Sequence, residues 1–210
     1  MIQSEHNRSQ GDGPRLLMVG PQGAGKGTQG VRIATAFGIP IISTGDLFRE
    51  HVTHRTHLGV QVKRFIESGR LVPDELTSLM VRERIDEPSG GRGFLLDGYP
   101  RNIHQALYLD QVLEERAEGL DAVIALDVAR EESISRLRLR AGQLNRTDDT
   151  ETVISKRVDI YEAETVPLLT FYSERAILDS VDGVGLADDV TERIFTALHR
   201  RDLVPAQFLE

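Results

Sequence analysis

The sequence predicts an α/β fold in which a parallel sheet is covered by helices on both faces. Five short apolar runs, at residues 15–19, 39–43, 93–97, 121–128 and 176–181, are each bounded by turn residues, as buried strands are. Amphipathic stretches with a helical period separate these runs. Parallel strands need such connections, and the helices then cover both faces of the sheet.

Composition limits the size and the class of the protein. The chain has 210 residues, enough for one substantial core, and a formal net charge of -8. Nucleic-acid binding proteins hold phosphate backbones on basic surfaces, so an excess of acids argues against that class. A small anionic ligand needs only a local cluster of arginines and stays possible.

Several features favour a protein of the reducing cytoplasm. The chain contains no cysteine, so neither disulfides nor thiolate metal sites are available. No apolar run approaches the ~20 residues of a membrane span, so we expect no membrane association. Residues 1–14 are polar and lack the apolar centre of a signal peptide. We interpret them as a disordered extension that precedes a single domain at residues 15–210.

A glycine-rich loop, "GPQGAGKGTQ", follows the first predicted strand. Residues 20–26 fit the phosphate-binding pattern G-x-x-x-x-G-K, but Gly27 stands where that pattern has a hydroxyl and Thr28 comes one residue later. The glycines let the backbone amides face inward, and the next helix directs its positive end to the same point. Lys26 adds a mobile charge. The loop predicts a polyanion site, the alternative being a glycine-rich turn with an exposed lysine.

Two further polar motifs follow the second and third strands. "STGDLFR" and "DGYPR" come after these strands, and the carboxyl ends of parallel strands form the ligand-binding edge of a sheet. Thr44 is predicted to cap a helix that begins near Gly45, with its hydroxyl able to meet a purine edge. Arg49 on that helix could bind a phosphate. A capped surface helix with a solvated arginine is the alternative.

The third motif adds a carboxylate and two amides. Asp97 ends a buried strand, where contact with magnesium through water explains it better than a helix-cap role. Gln105 offers an amide donor and acceptor that can read adenine. Asn102 could serve a pyrimidine, but it more simply begins the next helix as a cap.

Arginines cluster in the last third of the chain. Arg136 and Arg140 are four residues apart on a predicted helix at residues 131–140 and share a face, whereas Arg138 points elsewhere. Arg146 lies in an excursion at residues 142–149, and Arg157 lies on the following helix. A single arginine is usually solvated, so only the set as a whole is informative.

Together these motifs identify a family resemblance. "GKGTQ" is the form of the loop in nucleoside monophosphate kinases, and the chain resembles the adenylate kinases from residue 15 to about residue 200. The motifs "STGDLFR", "GRLVPDEL", "GFLLDGYPR", "RTDD" and "VDG" occur in that family's order and spacing. The resemblance implies a P-loop three-layer fold with five parallel strands, a small helical AMP-binding subdomain at residues 43–72, and a short lid at residues 141–150 without zinc.

The resemblance also implies roles for individual residues. Catalysis would fall to Lys26, Arg101, Arg140, Arg146 and Arg157. ATP would contact Gly23, Ala24, Gly25, Lys26, Gly27, Thr28, Arg136, Arg140 and Gly185. AMP would contact Thr44, Arg49, Arg70, Leu71, Val72, Gly98, Tyr99, Pro100, Arg101, Gln105, Arg146 and Arg157. Magnesium would lie near Thr28 and Asp97, held through water, and Asp148 and Asp149 would pair with lid arginines.

The expected activity is reversible phosphoryl transfer from ATP to AMP, which gives two ADP and balances adenine nucleotides. Mg²⁺ would accompany ATP, and the protein would act as a cytoplasmic monomer without nucleic-acid or membrane partners. One alternative is a kinase specific for UMP or CMP, which Asn102 favours and Thr44 with Gln105 oppose. Another is a non-catalytic nucleotide sensor, which needs no complete set of arginines.

Overall fold

The structure, a computed structural model, describes residues 13–87, 93–144 and 150–205. The extension expected at residues 1–14 therefore lies outside the described residues, apart from its last two positions. Arg146, Asp148 and Asp149 of the expected lid also lie outside them.

Five parallel strands form one sheet in the order β2-β3-β1-β4-β5. Their bounds are Arg15–Val19 for β1, Ile41–Ser43 for β2, Phe94–Asp97 for β3, Ala122–Asp127 for β4 and Leu178–Asp182 for β5. Every pairing in this sheet is parallel. The predicted fold class is confirmed.

Two strands, β2 and β5, begin two residues later than the sequence pattern predicts. The Ile39 amide donates to the Ala34 carbonyl at the end of the preceding helix, and Pro40 has no amide proton, so β2 begins at Ile41. Ala176 has a φ of 57°, which no strand residue adopts, and β5 begins at Leu178. The apolar runs in the sequence thus begin before the first residues that pair in the sheet.

Nine helices connect and flank the strands in the part of the chain that the structure describes. They are α1 Lys26–Phe37, α2 Thr44–Thr53, α3 His57–Glu67, α4 Asp74–Asp86, α5 Ile103–Glu114, α6 Arg130–Leu144, α7 Glu151–Ile160, α8 Val166–Ser173 and α9 Ala187–His199. A π-helical turn, Tyr161–Thr165, joins α7 to α8. None of the described helices has the length and apolarity required to cross a membrane.

The alternation of side chains along β1 divides the core into two layers. Leu16 and Met18 belong to a buried cluster with residues of α1 and α9, such as Ile33 and Ile194. Leu17 and Val19, on the opposite face, join a second cluster with residues of α4, α5 and α8. A strand buried on both faces explains why the sequence of β1 is apolar throughout.

The helices α2 and α3 approach each other closely at Gly59. A Cβ atom at Gly59 would lie 2.0 Å from the carbonyl oxygen of His51 in α2. Both helices have a side-chain cap: Ser43 accepts from the Asp46 amide, and Thr56 accepts from the Gly59 amide. The pair therefore depends on a residue without a side chain at its crossing point.

We expect Gly59→Ala to destabilise the α2 and α3 pair by about 1 to 3 kcal/mol, because the added methyl group forces backbone apart in a packed contact. Hydrogen exchange of the amides in both helices measures this loss. Gly30→Ala is the matched control: its Cβ would lie 3.5 Å from Leu95 Cδ2, an ordinary contact, so the replacement should be neutral or stabilising. Unchanged exchange in Gly59→Ala would show that the contact has no effect on stability.

Candidate active site

The register of the sheet brings the three sequence motifs together. Met18 near the end of β1 pairs with Asp97 at the end of β3, and Asp97 in turn pairs with Ser43 at the end of β2. The segments that leave these strands therefore start side by side at one edge. They surround a cavity of about 520 Å³, to which α6 and α7 also contribute.

Most of the residues expected to bind nucleotides line this cavity. They are Gly23, Gly25, Lys26, Gly27, Thr28, Thr44, Arg49, Arg70, Leu71, Val72, Asp97, Gly98, Arg101, Gln105, Arg136, Arg140 and Arg157. Four others do not line it: Ala24, Tyr99 and Pro100 are buried, and Gly185 lies in the loop after β5. Tyr99 supports the site from behind, since its hydroxyl donates to the Gln105 carbonyl and contacts Ser78.

The glycine-rich loop has the geometry of an anion cradle. Gly23 and Gly25 have φ values of 88° and 93°, in the left-handed region that favours glycine. A Cβ atom at Gly23 would also lie 2.7 Å from the Ser133 carbonyl oxygen. Helix α1 begins at Lys26, and its N-cap, Gly25, provides no side-chain hydrogen bond to the first turn. The amides of that turn are available to an anionic ligand.

Lys26 is held inside this loop by backbone carbonyls. Its Nζ donates to the carbonyl oxygens of Gly20, at 2.7 Å, and Pro21, at 2.9 Å. Burial lowers the pKa of Lys26 to about 8, Asp97 opposes this shift, and Arg101 and Arg140 add to it. A polyanion bound in the cradle would stabilise the charged ammonium of Lys26 and raise its pKa. The loop is therefore suited to bind an anion.

Positive charge is concentrated in the cavity of an acidic protein. Among the described residues, seven cationic side chains and two carboxylates line it. The cations are Lys26, Arg49, Arg70, Arg101, Arg136, Arg140 and Arg157, and the carboxylates are Asp46 and Asp97. Burial lowers the pKa of Arg101, which Asp97 opposes and Arg157 reinforces. Such an arrangement suits ligands that carry several phosphates.

The predicted cap role of Thr44 is wrong. Ser43 has the extended backbone of an N-cap, with φ -102° and ψ 111°, and its hydroxyl accepts from the Asp46 amide. Thr44 is the first helical residue, and its Oγ1 donates to the Gly98 carbonyl at 2.9 Å. With its proton used in this way, the Thr44 hydroxyl can act towards a ligand only as an acceptor.

Two arginines that line the cavity, Arg49 and Arg70, contact neighbouring residues of the same segment. Arg49 pairs with Asp46 one turn earlier on α2. Arg70 lies over the Phe65 ring, at 5.5 Å from its centroid, and its Nε donates to Ser68. Partly exposed pairs of this kind contribute little stability, so these side chains can turn towards a phosphate at low cost.

A glycine allows the "GRLV" turn to approach α7. A Cβ atom at Gly69, which has a φ of 66°, would lie 2.9 Å from Val153 Cγ1. Arg157, one turn further along α7, donates from Nη2 to the Ile66 carbonyl at 3.4 Å. The turn at residues 70–72 and the arginine of the later helix therefore face the same part of the cavity.

The amide of Gln105 is fixed by two neighbours of opposite chemistry. Its Oε1 accepts from the Arg101 backbone amide at 2.8 Å, and its Nε2 donates to Asp74 Oδ1 at 2.6 Å. Asn102 caps α5, as expected, because its Oδ1 accepts from the Gln105 amide. The Asn102 Nδ2 donates to Asp74, and Asn102 does not line the cavity. These contacts leave Gln105 as the base-reading candidate.

Helix α6 presents two arginines to the cavity and a third away from it. Arg136 and Arg140 line the cavity, whereas Arg138 is exposed and pairs with Glu151. Arg136 is oriented by Glu132, at 2.7 Å from its Nε, and by the Gly183 carbonyl. Gly183 therefore links the loop after β5 to the site, and the expected ATP contact of Gly185 in the same loop stays a prediction.

The oxygen atoms near Lys26 fit magnesium. Thr28 and Asp97 both line the cavity and offer a hydroxyl and a carboxylate, which are hard ligands of the kind Mg²⁺ prefers. No group of three or more His, Cys, Asp or Glu side chains that could hold a metal occurs among the described residues. The set suits an ion held mainly by phosphates and water.

Sequence reasoning missed several residues that line the cavity. They are Gln22, Ser43, Gly45, Asp46, Phe48, Ile66, Gly69 and Thr77. Most lie next to a predicted residue in the same motif, so their position in a motif could have identified them as cavity residues. Asp74, behind the cavity wall, was also missed; its signal is a carboxylate that directly follows Pro73 at a helix start in "GRLVPDEL".

Comparison with known proteins agrees with this geometry. The sequence model of the family described as "Adenylate kinase" matches residues 18–177. A protein named adenylate kinase from Nocardioides sp. is 51% identical over 191 residues, which cover 91% of this chain and 98% of the relative. Adenylate kinases from Kocuria rhizophila and Leifsonia xyli are 48% and 50% identical, over 89% and 90% of this chain and 99% and 96% of the relatives. The chain belongs to the adenylate kinase family.

Proposed function

We propose that this enzyme transfers the terminal phosphoryl group of ATP to AMP and gives two ADP, in a reversible reaction that balances adenine nucleotides. The observation that carries the proposal is that one cavity is lined both by an anion cradle and by an amide that can read a base. The Lys26 loop and Gln105 both line it, together with six arginines. Family membership supports the same reaction.

The cradle is assigned to ATP. Residues 23–28 would hold its β- and γ-phosphates through backbone amides and Lys26, with Arg140 nearby. Arg136 would stack on the ATP adenine, and its fixed position beside Glu132 and the Gly183 carbonyl suits a planar contact. Ala24 and Gly185 lie outside the cavity lining, so their contribution would be to shape the cradle and the loop after β5.

The remaining polar groups suit adenine as the acceptor base. The Thr44 hydroxyl acts only as an acceptor, which complements the exocyclic amino group of adenine. Gln105 has a second N–H and a second lone pair beyond its internal contacts, and these match the N1 acceptor and the amino donor. Arg49, Arg101 and Arg157 would bind the AMP phosphate. Asn102, the residue that suggested a pyrimidine, is occupied elsewhere.

Catalysis then consists of alignment and charge neutralisation. An oxygen of the AMP phosphate attacks the γ-phosphorus of ATP, the bond from that phosphorus to the bridging oxygen breaks, and ADP leaves with the electron pair. Lys26, Arg101, Arg140 and Arg157, with Arg146 of the lid, would stabilise the charge on the transferred group. No protein group has to remove a proton, since the attacking oxygen is already ionised.

The remaining assignments follow from family resemblance and form part of the proposal. Residues 43–72 would form the AMP-binding subdomain and residues 141–150 a short lid that closes to keep water out. Mg²⁺ bound near Thr28 and Asp97 would neutralise phosphate charge. Action as a monomer in the cytoplasm stays a prediction. A non-catalytic sensor is less well supported, since binding alone does not need cations around the transferred group.

Replacing Lys26 by methionine, which is of similar length, should reduce turnover by ~10²-fold or more, the size expected for a lost transition-state donor. The fold should persist, because the loop glycines that shape the cradle are unchanged. A coupled assay of ADP formation and a thermal melt test both points. Lys63→Met is the control, since Lys63 lies on the surface and pairs only weakly with Glu67, at 3.6 Å. Near-normal turnover in a folded Lys26→Met protein would contradict the assignment.

ATP binding above pH 8 should be accompanied by proton uptake. Because burial lowers the pKa of Lys26 to about 8, part of the side chain is neutral above that pH, and bound polyphosphate would raise the pKa. A group whose pKa rises on binding takes up protons at a pH between its two values. Calorimetric titration in two buffers of different ionisation enthalpy measures the uptake. Lys26→Arg, charged at every pH used, should show none; equal uptake in both proteins would contradict this origin.

AMP should exceed UMP, CMP and GMP by at least ~10²-fold in kcat/KM, because a site with buried polar groups penalises a base that leaves them unpaired. The assay follows ATP-dependent ADP formation with the four monophosphates at matched subsaturating concentrations. Comparable rates with CMP or UMP would assign this chain to the pyrimidine-specific alternative.

A further inference from the structure

We propose that Asp74 is a positioning residue for the acceptor base: it holds the Gln105 carboxamide in one orientation and thereby makes the site select 6-amino over 6-oxo purines. The inference rests on the proposed function, in which Gln105 reads the base of AMP. Asp74 is the first residue of α4, and the cavity lining does not include it.

A carboxamide has nearly the same shape in its two orientations, so packing alone does not determine which end carries the oxygen. At Gln105 the neighbours determine it. The Arg101 backbone amide, 2.8 Å from Oε1, can only donate, and the Asp74 carboxylate, 2.6 Å from Nε2, can only accept. A flipped amide would oppose donor to donor and acceptor to acceptor. Because Gln105 is only 2% exposed, water cannot easily relieve either contact.

Asp74 is itself held by three side chains. Besides Gln105, the Asn102 Nδ2 lies 3.2 and 3.1 Å from its two oxygens, and His104 Nδ1 lies 3.2 Å from Oδ2. Asn102 is fixed in turn, since its Oδ1 accepts from the Gln105 backbone amide at 2.9 Å. Asp74, Asn102 and Gln105 therefore form a closed hydrogen-bonded ring in which each amide has one permitted orientation.

The permitted orientation distinguishes two classes of purine. A 6-amino purine offers a donor at N6 and an acceptor at N1, which match Gln105 Oε1 and Nε2. A 6-oxo purine has an acceptor at O6 and a donor at N1, which oppose this orientation and would match a flipped amide. Thr44 Oγ1, whose proton is used by the Gly98 carbonyl, also opposes an oxo group. Asp74 should thus determine the preference for AMP over IMP.

The first test is Asp74→Asn, assayed with AMP and IMP as acceptors. The introduced amide has no charge and only one oxygen to accept from Gln105 and Asn102, and its nitrogen can donate to a flipped Gln105, so it no longer enforces one orientation of the Gln105 amide. We expect the ratio of kcat/KM for AMP to that for IMP to fall by about 10-fold, the size of one charge-assisted hydrogen bond. Glu75→Gln, an equal charge change at the next and exposed position of α4, should leave the ratio unchanged.

The second test exchanges the two partners. In the double variant Asp74→Asn with Asn102→Asp, the carboxylate at position 102 can cap α5 and accept from the amide at position 74, whose oxygen accepts from Gln105. The ring is complete again, and the ratio should return to within about threefold of the original value. Asn102→Ser keeps a hydroxyl that can cap α5 but removes one of the three side chains that hold Asp74. We expect a smaller fall in the ratio, and this variant tests the inference even if Asp74→Asn does not fold.

A structural role for Asp74 predicts another pattern. If it only tied α4 to α5, its replacement would lower stability, or the kcat/KM for AMP and IMP equally, and leave the ratio unchanged. An unchanged ratio in folded Asp74→Asn and in Asn102→Ser would overturn the inference. Failure of the unaltered protein to convert ATP and AMP would overturn the proposed function instead. Calorimetric affinities for AMP and IMP test the same preference without turnover.

Discussion

The parallel pairing of β1, β3 and β2 is the constraint on which the site depends. Met18 lies opposite Asp97, and Asp97 lies opposite Ser43, so three segments leave the sheet at the same level. A shift of one residue in β3 would move Asp97 away from Lys26 and exchange the side chains that β3 contributes to the two buried clusters. The packing of both clusters, which fixes this register, is therefore also what places the glycine-rich loop next to Asp97 and the start of α2.

Charge is the second determinant of the site. Seven cations face one cavity in a protein with a formal net charge of -8. Burial disfavours the charged form of Lys26, and its arginine neighbours increase that cost. The carbonyls of Gly20 and Pro21 and the charge of Asp97 oppose this cost, because they stabilise the ammonium form. In the proposed function a bound polyphosphate would reduce the cost of gathering these cations, which is a usual cost of electrostatic preorganisation.

The sequence predicted the strands and motifs, which have local patterns, and missed contacts that depend on two particular residues. Strand β1 and the glycine loop have periodic or motif signals, and the structure confirms the fold they predict. The cap at Ser43 was missed because two adjacent hydroxyls differ only in backbone conformation. Asp74 was missed because its contact with Gln105 joins residues 31 positions apart, which no local pattern records. Contacts of Tyr99 with AMP and of Gly185 with ATP were expected only from the family resemblance, and neither residue lines the cavity.

In the proposed function, one cavity holds two nucleotides with their phosphates facing each other. A crystal structure of the protein with a non-hydrolysable ATP analogue, Mg²⁺ and AMP tests it most directly. We expect the analogue's phosphates on the amides of residues 23–28 and the AMP phosphate among Arg49, Arg101 and Arg157. The adenine amino group of AMP should contact Thr44 and Gln105. An AMP bound outside this cavity, or an ATP analogue away from Lys26, would contradict it.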